Sequence, residues 1–195
     1  ASDSEESANA FGVTFKDASD ELNKFVDSFS TKAGFTTAEL QELLSFTGGV
    51  VNGMGASADA SAEFSKQVAE LSGDIGSLRN KDPEQVLRAI TSALTGEREA
   101  LKSVGVIIKE TDVQQKALTM TNKSAVSELT KMEKAEATLQ LIREQSADAI
   151  GDLDRTSDGF ANTQRRLKAE LRETATEMGE ALMPTVAELL PVISD

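Results

Sequence analysis

Apolar positions recur at helical spacing along almost the whole of this chain. Leu22, Phe25, Val26 and Phe29 share one face of the segment from Asp17 to Lys32, and repetition at three and four residues is the mark of an amphipathic helix. Gly34 follows as a natural stop. Thr36-Thr37-Ala38-Glu39 has the form of a capping box, with Leu40, Leu43, Leu44 and Phe46 behind it on one face. Gly48, Gly49, Gly53 and Gly55 weaken the end of that helix. Ser57 or Asp59 restarts the chain into a helix bearing Phe64, Val68 and Leu71, frayed by Gly73 and Gly76. Asp82-Pro83 sets an N-cap before a proline at the first helical position, for a helix that stops at Gly96. Val104 to Ile108 is the one β-like run, rich in β-branched residues and too short to make a sheet alone. An extended connector or a short paired strand is expected there. Thr111 begins another helix through Met120, and the polar stretch from Asn122 to Ser127 is loop-like. Thr130-Lys131-Met132-Glu133 is a second capping box, leading a helix to about Ile150.

The stretch from Gly151 to Pro184 carries the longest pattern. A polar turn runs from Gly151 to Asn162, and a charged helix follows in which Phe160, Leu167, Leu171, Met178 and Leu182 fall on one stripe. Ser157 or Asp158 is placed to cap its first turn, and Pro184 is expected to kink or end it. The last two helices are expected to form a hairpin.

Together these signals predict an all-α protein of about six to seven helices with little or no sheet. Seven of the eight Phe residues precede position 65, so a Phe-rich bundle is expected over residues 1–125. The helical hairpin occupies residues 126–195 and reads as continuing into a longer chain. The first seven or so residues are expected to fray. A fully helical chain of this length would reach on the order of 290 Å at ~1.5 Å per residue, and the glycine breaks argue for something much shorter.

Composition narrows the chemistry. There is no Cys, His, Trp or Tyr among the 195 residues. That removes disulfides, thiolate metal sites, the usual general base at neutral pH and the commonest zinc ligand. The formal net charge is −13, which repels nucleic acid, since phosphate binding needs clustered Lys and Arg. Carboxylates abound, but no feature isolates a pair in an apolar pocket as glycosidase chemistry requires. The expectation is a protein that is not an enzyme, with no catalytic, cofactor-binding or metal residues and no specific nucleic acid.

Three constellations have sharper readings. Asp152, Asp154, Thr156 and Asp158 alternate as in a calcium loop, but Ser157 and Thr163 stand where the EF-hand spacing wants Gly and Glu; a capped turn is the plainer reading. Gly49 and Gly53 form a small-x-x-x-small pair within an uncharged stretch from Leu43 to Ala58. They are candidates for membrane contact, although the stretch is shorter than the ~20 residues of a span; a buried helix end is the alternative. Arg165, Lys168 and Arg172 form a basic stripe, and Glu170, Glu173, Glu177 and Glu180 an acidic one, with Arg166 and Glu170 spaced to pair. Arg155 follows a helix end, where a guanidinium can bond exposed carbonyls. Arg155, Asn162, Arg165, Lys168 and Arg172 are therefore candidates for partner docking, against the alternative of structural or solvated positions.

The wording of several segments resembles the tail tape measure proteins of long-tailed bacteriophages. The resemblance lies in Arg155, Thr156, Ser157, Asp158, Ala161 and Asn162, then Arg165 to Leu171, then Gly179 to Pro184. Upstream it includes Asp82 to Glu84, Leu94 to Leu101, Val104 to Val106, and Leu129 to Gln145. It covers roughly Gly48 to Pro184. Each piece is only a capped helix; their order and spacing carry the likeness. The resemblance implies a structural segment of a protein that occupies the lumen of the tail tube, helps set tail length during assembly, and leaves with or before the DNA at infection. It implies as partners other copies of itself, the tail tube protein and a tail assembly chaperone, with contact at the host inner membrane. It places the protein in the virion, and in the host cytoplasm during assembly. It also implies that this chain is a fragment. The competing expectation is an independent α-helical adaptor that docks a host or tail partner.

Overall fold

A computed structural model describes the backbone of residues 3–193, and the side chains of 4–159 and 161–181. Among the described residues there are nine α-helices and no strand. They are α1 (Asp3–Phe15), α2 (Ser19–Ala33), α3 (Thr37–Gly53), α4 (Ala58–Arg79), α5 (Pro83–Leu94), α6 (Glu110–Thr121), α7 (Lys131–Gln145), α8 (Asp152–Arg155) and α9 (Phe160–Ile193). Short 3-10 turns lie at Lys16–Ala18, Glu99–Val104 and Val126–Glu128. Two helices exceed the expected number: α1, where fraying was expected, and the single turn α8. α1 holds because Phe11 and Phe15, one turn apart, are both buried and meet edge to face at 5.0 Å.

The capping chemistry takes the expected form. Thr36 Oγ1 accepts from the Glu39 N–H at 3.2 Å while the Glu39 carboxylate accepts from the Thr36 N–H at 2.8 Å. The same reciprocal pair joins Thr130 and Glu133. Asp82 caps α5 ahead of Pro83, and Ser57 caps α4. Gly34 ends α2 at φ +82°.

Several glycines behave differently from expectation. α4 runs unfrayed through Gly73 and Gly76 to Arg79 and stops at Asn80, which takes the left-handed conformation. The reason is packing: a Cβ on Gly73 would lie 2.9 Å from Leu153 Cδ2 and 3.0 Å from the Phe29 ring. The glycine costs helix propensity and admits two large side chains in exchange. Pro184 does not end α9, which continues to Ile193.

α3, α4 and α5 pack side by side, with α1 against α3 and α2 across α3 and α4. α6 pairs with α7, which leans on α5, and α8 sits on α4. The expected pairing of the two C-terminal helices is not seen among the described residues: α7 takes α6 and α5 as neighbours, and α9 lies on α2. The cause lies in the turn before α9, which bonds to α4 and carries the chain away from α7. A single buried cluster extends from Phe11 to Leu153 and crosses position 125 without a break. Inside it, the hydroxyls of Thr47 and Thr91 meet at 2.8 Å between α3 and α5. Phe46, expected on the inner face of α3, is exposed with the Arg88 guanidinium 5.9 Å from its ring centroid. Thr47, Gly48 and Val51 continue the inner face instead.

The β-like run is an extended connector. Val106 and Ile108 are buried and Ile107 is exposed. This is the alternation of a strand, but the backbone finds its partner in a side chain: Gln145 accepts from the Ile107 N–H and donates to its carbonyl, both at 2.9 Å.

Candidate docking surfaces

The turn between α7 and α9 is held by one polar network on the C-terminal half of α4. The Asp74 carboxylate accepts the N–H of Gly151 at 2.8 Å and of Leu153 at 3.1 Å. Ser77 donates to Asp152 at 2.7 Å and meets the Thr156 hydroxyl at 2.8 Å. Asn162, buried to 5% exposure, donates to Ser77 at 3.1 Å and to the Thr156 carbonyl and hydroxyl at 3.0 Å each. Arg165 reaches Asn80 at 3.0 Å and also bonds Asn162. Arg155 turns back, donating to the Ile150 carbonyl at 2.8 Å and to Asp152 at 3.3 Å. Every buried polar atom named here is answered, which is how such a network fixes one geometry.

Four of the five residues singled out for docking thus have partners within the chain. Arg155, Asn162 and Arg165 build the network, and Arg172 pairs with Glu39 at the start of α3. Lys168 alone stays exposed without such a bond among the described residues. The calcium-like acids diverge: Asp152 faces Ser77 and Arg155, and Asp154 pairs with Lys32. Among the described residues neither Ser157 nor Asp158 is bonded to the first turn of α9; Gly159 precedes that helix and its carbonyl accepts from the Thr163 N–H. The spaced pair of Arg166 and Glu170 is also replaced, with Arg166 turned to the Thr163 hydroxyl.

α9 has two faces. Its inner face carries Asn162, Arg165, Ala169 and Glu173. Ala169 is 2% exposed, and Arg165 passes so close to Gly34 that a Cβ there would lie 2.8 Å from Arg165 Cβ. Glu173 accepts the Thr37 N–H at 3.1 Å, placing a carboxylate at the positive end of α3. Farther along, Ser4 of α1 bonds Glu180. The outer face carries Leu167, Leu171 and Met178, exposed at 56, 65 and 63%. They lie roughly opposite Ala169 on a helix of ~3.6 residues per turn. Phe160 and Leu182, expected on the same stripe, have side chains outside those described. Beside the stripe stand Glu170 and Glu177, both exposed and neither in an ion pair among the described residues.

Gly49 and Gly53 line a second open surface. A groove of about 510 Å³ runs between the C-terminal half of α3, the Gly96 turn and the start of α7. Its floor is Gly49, Val50, Gly53, Met54 and Leu94, and its rim holds Arg98, Lys131 and Lys134 against one carboxylate, Glu110. A Cβ on either glycine would meet nothing within 4 Å, so neither is required by packing within the chain. Arg98 pairs with Glu110 at 2.9 Å, Lys134 stands 3.9 Å from the same carboxylate, and Lys131 is exposed. A larger groove between α2 and α4, about 670 Å³, has Phe25 and Phe29 stacked in its floor at 4.8 Å. Its rim is predominantly acidic, with Asp17, Glu21, Asp59, Glu63 and Glu70 against Lys24, Lys32 and Lys66. Glu70 is exposed, yet partial desolvation by the groove walls raises its carboxyl above the ordinary range, partly offset by Lys66.

Among the described residues no three carboxylates gather as a metal site, and no helix is long and apolar enough to cross a membrane. The turn and the glycine pair carry local signals in the sequence. Asp74, Ser77 and Asn80 carry none, since they lie about seventy-five to eighty-five positions before their partners. Comparison with family models, curated proteins and solved structures gives no match to this chain.

Proposed function

We propose that this chain is a structural segment of a phage tail tape measure protein, a helical module that helps set tail length and docks other tail components or sister copies through α9. The observation that carries the docking part is the two-faced character of α9: polar bonds hold its inner side, and its outer side keeps an apolar stripe. Burial of such a stripe is favourable by ~25 cal/mol per Å², so an exposed one on a fixed helix is an unfilled contact surface. The tail assignment is supported by the resemblance stated above. The residues that carry its most specific wording, Arg155, Thr156, Asn162 and Arg165, are those that lock the turn before α9.

In this reading the chain performs no chemistry, and its partners are copies of itself, the tube subunit and an assembly chaperone. The reading is tested in the phage. Duplicating in frame the 34 residues of α9 adds about 50 Å at ~1.5 Å per residue if they extend the ruler as a helix, and tails seen by electron microscopy should lengthen by up to that amount. Tails of unchanged length, or virions lacking the protein, would defeat it. Peptidoglycan incubated with the purified chain should remain intact.

A further inference from the structure

The outer stripe of α9 and the glycine groove are both apolar with opposite charge beside them, and neither is covered by the described residues. We infer that the α9 stripe of one copy docks in the glycine groove of a second copy, so that the chains join head to tail. The inference rests on the preceding reading only in taking α9 as a docking face.

Four observations carry it. The stripe is apolar, and beside it stand two acids, Glu170 and Glu177, that make no ion pair among the described residues. The groove is floored by Val50, Met54 and Leu94 and is rimmed by three cations against one carboxylate, in a chain of net charge −13. Gly49 and Gly53, one turn apart with open space above them, allow a helix to approach the α3 backbone closely. The acidic groove between α2 and α4 would repel the same acids, and the basic pocket of Lys81, Arg165, Lys168 and Arg172 has no apolar floor beyond Pro83 to receive the stripe.

The contact cannot close within one chain. α9 crosses the start of α3 at Thr37 and Glu39, whereas the groove lies at the opposite end of that helix, and the stripe faces away from the body. The two surfaces differ, so the contact is heterologous and propagates instead of closing at a pair.

Sedimentation of the full 195-residue chain from micromolar to millimolar concentration tests this, with circular dichroism confirming that each variant keeps its helix content. Wild-type protein should form open-ended oligomers. A groove-blocked variant (Gly49→Leu with Gly53→Leu) and a stripe-blocked variant (Leu167→Gln with Leu171→Gln) should each stay monomeric alone. Mixed in equal amounts they should form dimers that grow no further, because one intact stripe and one intact groove remain. Lys131→Glu with Lys134→Glu should weaken association about tenfold, and adding Glu170→Lys with Glu177→Lys should restore it. If the groove-blocked variant assembles like wild type while the stripe-blocked one does not, stripes pair with stripes; the inference is then wrong and α9 still docks. If neither substitution changes assembly, α9 docking fails as well. A wild-type chain that stays monomeric throughout, or a groove that takes up anionic vesicles in place of protein, also overturns the inference.

Discussion

Gln145 presents its side-chain amide to Ile107 as a neighbouring strand would present its backbone, bonding both N–H and C=O at 2.9 Å. The extended segment therefore satisfies its polar groups without a sheet. Replacing Gln145 by Leu leaves both Ile107 groups without that partner, with water as the only substitute. A loss of about 1–2 kcal/mol in urea unfolding is expected, together with faster hydrogen exchange at the Ile107 amide. Gln145→Glu should fall between, since a carboxylate keeps the acceptor and loses the donor.

Asp74 fixes the start of α8 through two backbone amides. Asp74→Ala should cost about 1–3 kcal/mol and release the Gly151 and Leu153 amides to exchange. Asp74→Asn keeps one acceptor oxygen and should retain part of that protection. Protection unchanged in Asp74→Ala would remove the clamp from the account of how α9 is held.

The Thr47 hydroxyl donates to the Leu43 carbonyl at 3.1 Å and meets the Thr91 hydroxyl of α5 at 2.8 Å. Thr47→Val removes the partner of Thr91 and should cost about 1–2 kcal/mol, Thr91→Val leaves Thr47 its Leu43 bond and should cost less, and the double change should cost less than the sum. Additive losses in a double-mutant cycle would show that the pair is not coupled.

Neighbouring glycines should respond with opposite signs. A Cβ at Gly48 would lie 2.5 Å from the Phe15 ring, whereas one at Gly49 would meet nothing. Gly48→Ala should destabilise by about 1–3 kcal/mol through overpacking. Gly49→Ala should stabilise by up to about 1 kcal/mol, as expected for an exposed helix position. Thermal melts of the two variants decide the matter.

Glu70 gives a pH signature. Partial desolvation at the groove wall raises its carboxyl in the folded chain, so the folded state holds that proton more firmly than the unfolded one. Its ionisation then opposes folding, and the penalty develops as pH rises past the ordinary carboxylate range. Glu70→Gln should raise Tm slightly at neutral pH and leave it unchanged below that range, with the gain kept small by partial solvent exposure. A gain confined to acid pH would reverse the assignment.

Most helix positions and several caps are legible because their signals are local. Thr36 with Glu39, Thr130 with Glu133, and Asp82 with Pro83 each sit within one turn. Partnerships were not legible, because the pattern that buries α7 does not say against what. α6 takes that place, and Asp74, Ser77 and Asn80 divert the chain so that α9 reaches α2. Glycine was the most misleading letter. Gly73 reads as a break and serves as a seat for Leu153 and Phe29, while Gly49 reads as a packing position and has empty space above it.

The network around Asn162 grips α9 near one end only, and this makes the helix a lever. From Asn162 to Met178 the axis advances about 24 Å at ~1.5 Å per residue. A tilt of only about 5° at the grip would sweep the far end sideways by roughly 2 Å on that same rise. Glu173 on the Thr37 amide, Arg172 on Glu39 and Ser4 on Glu180 then act as successive rests along the arm. Loosening any one of them should cost little in melting temperature and much in pointing accuracy.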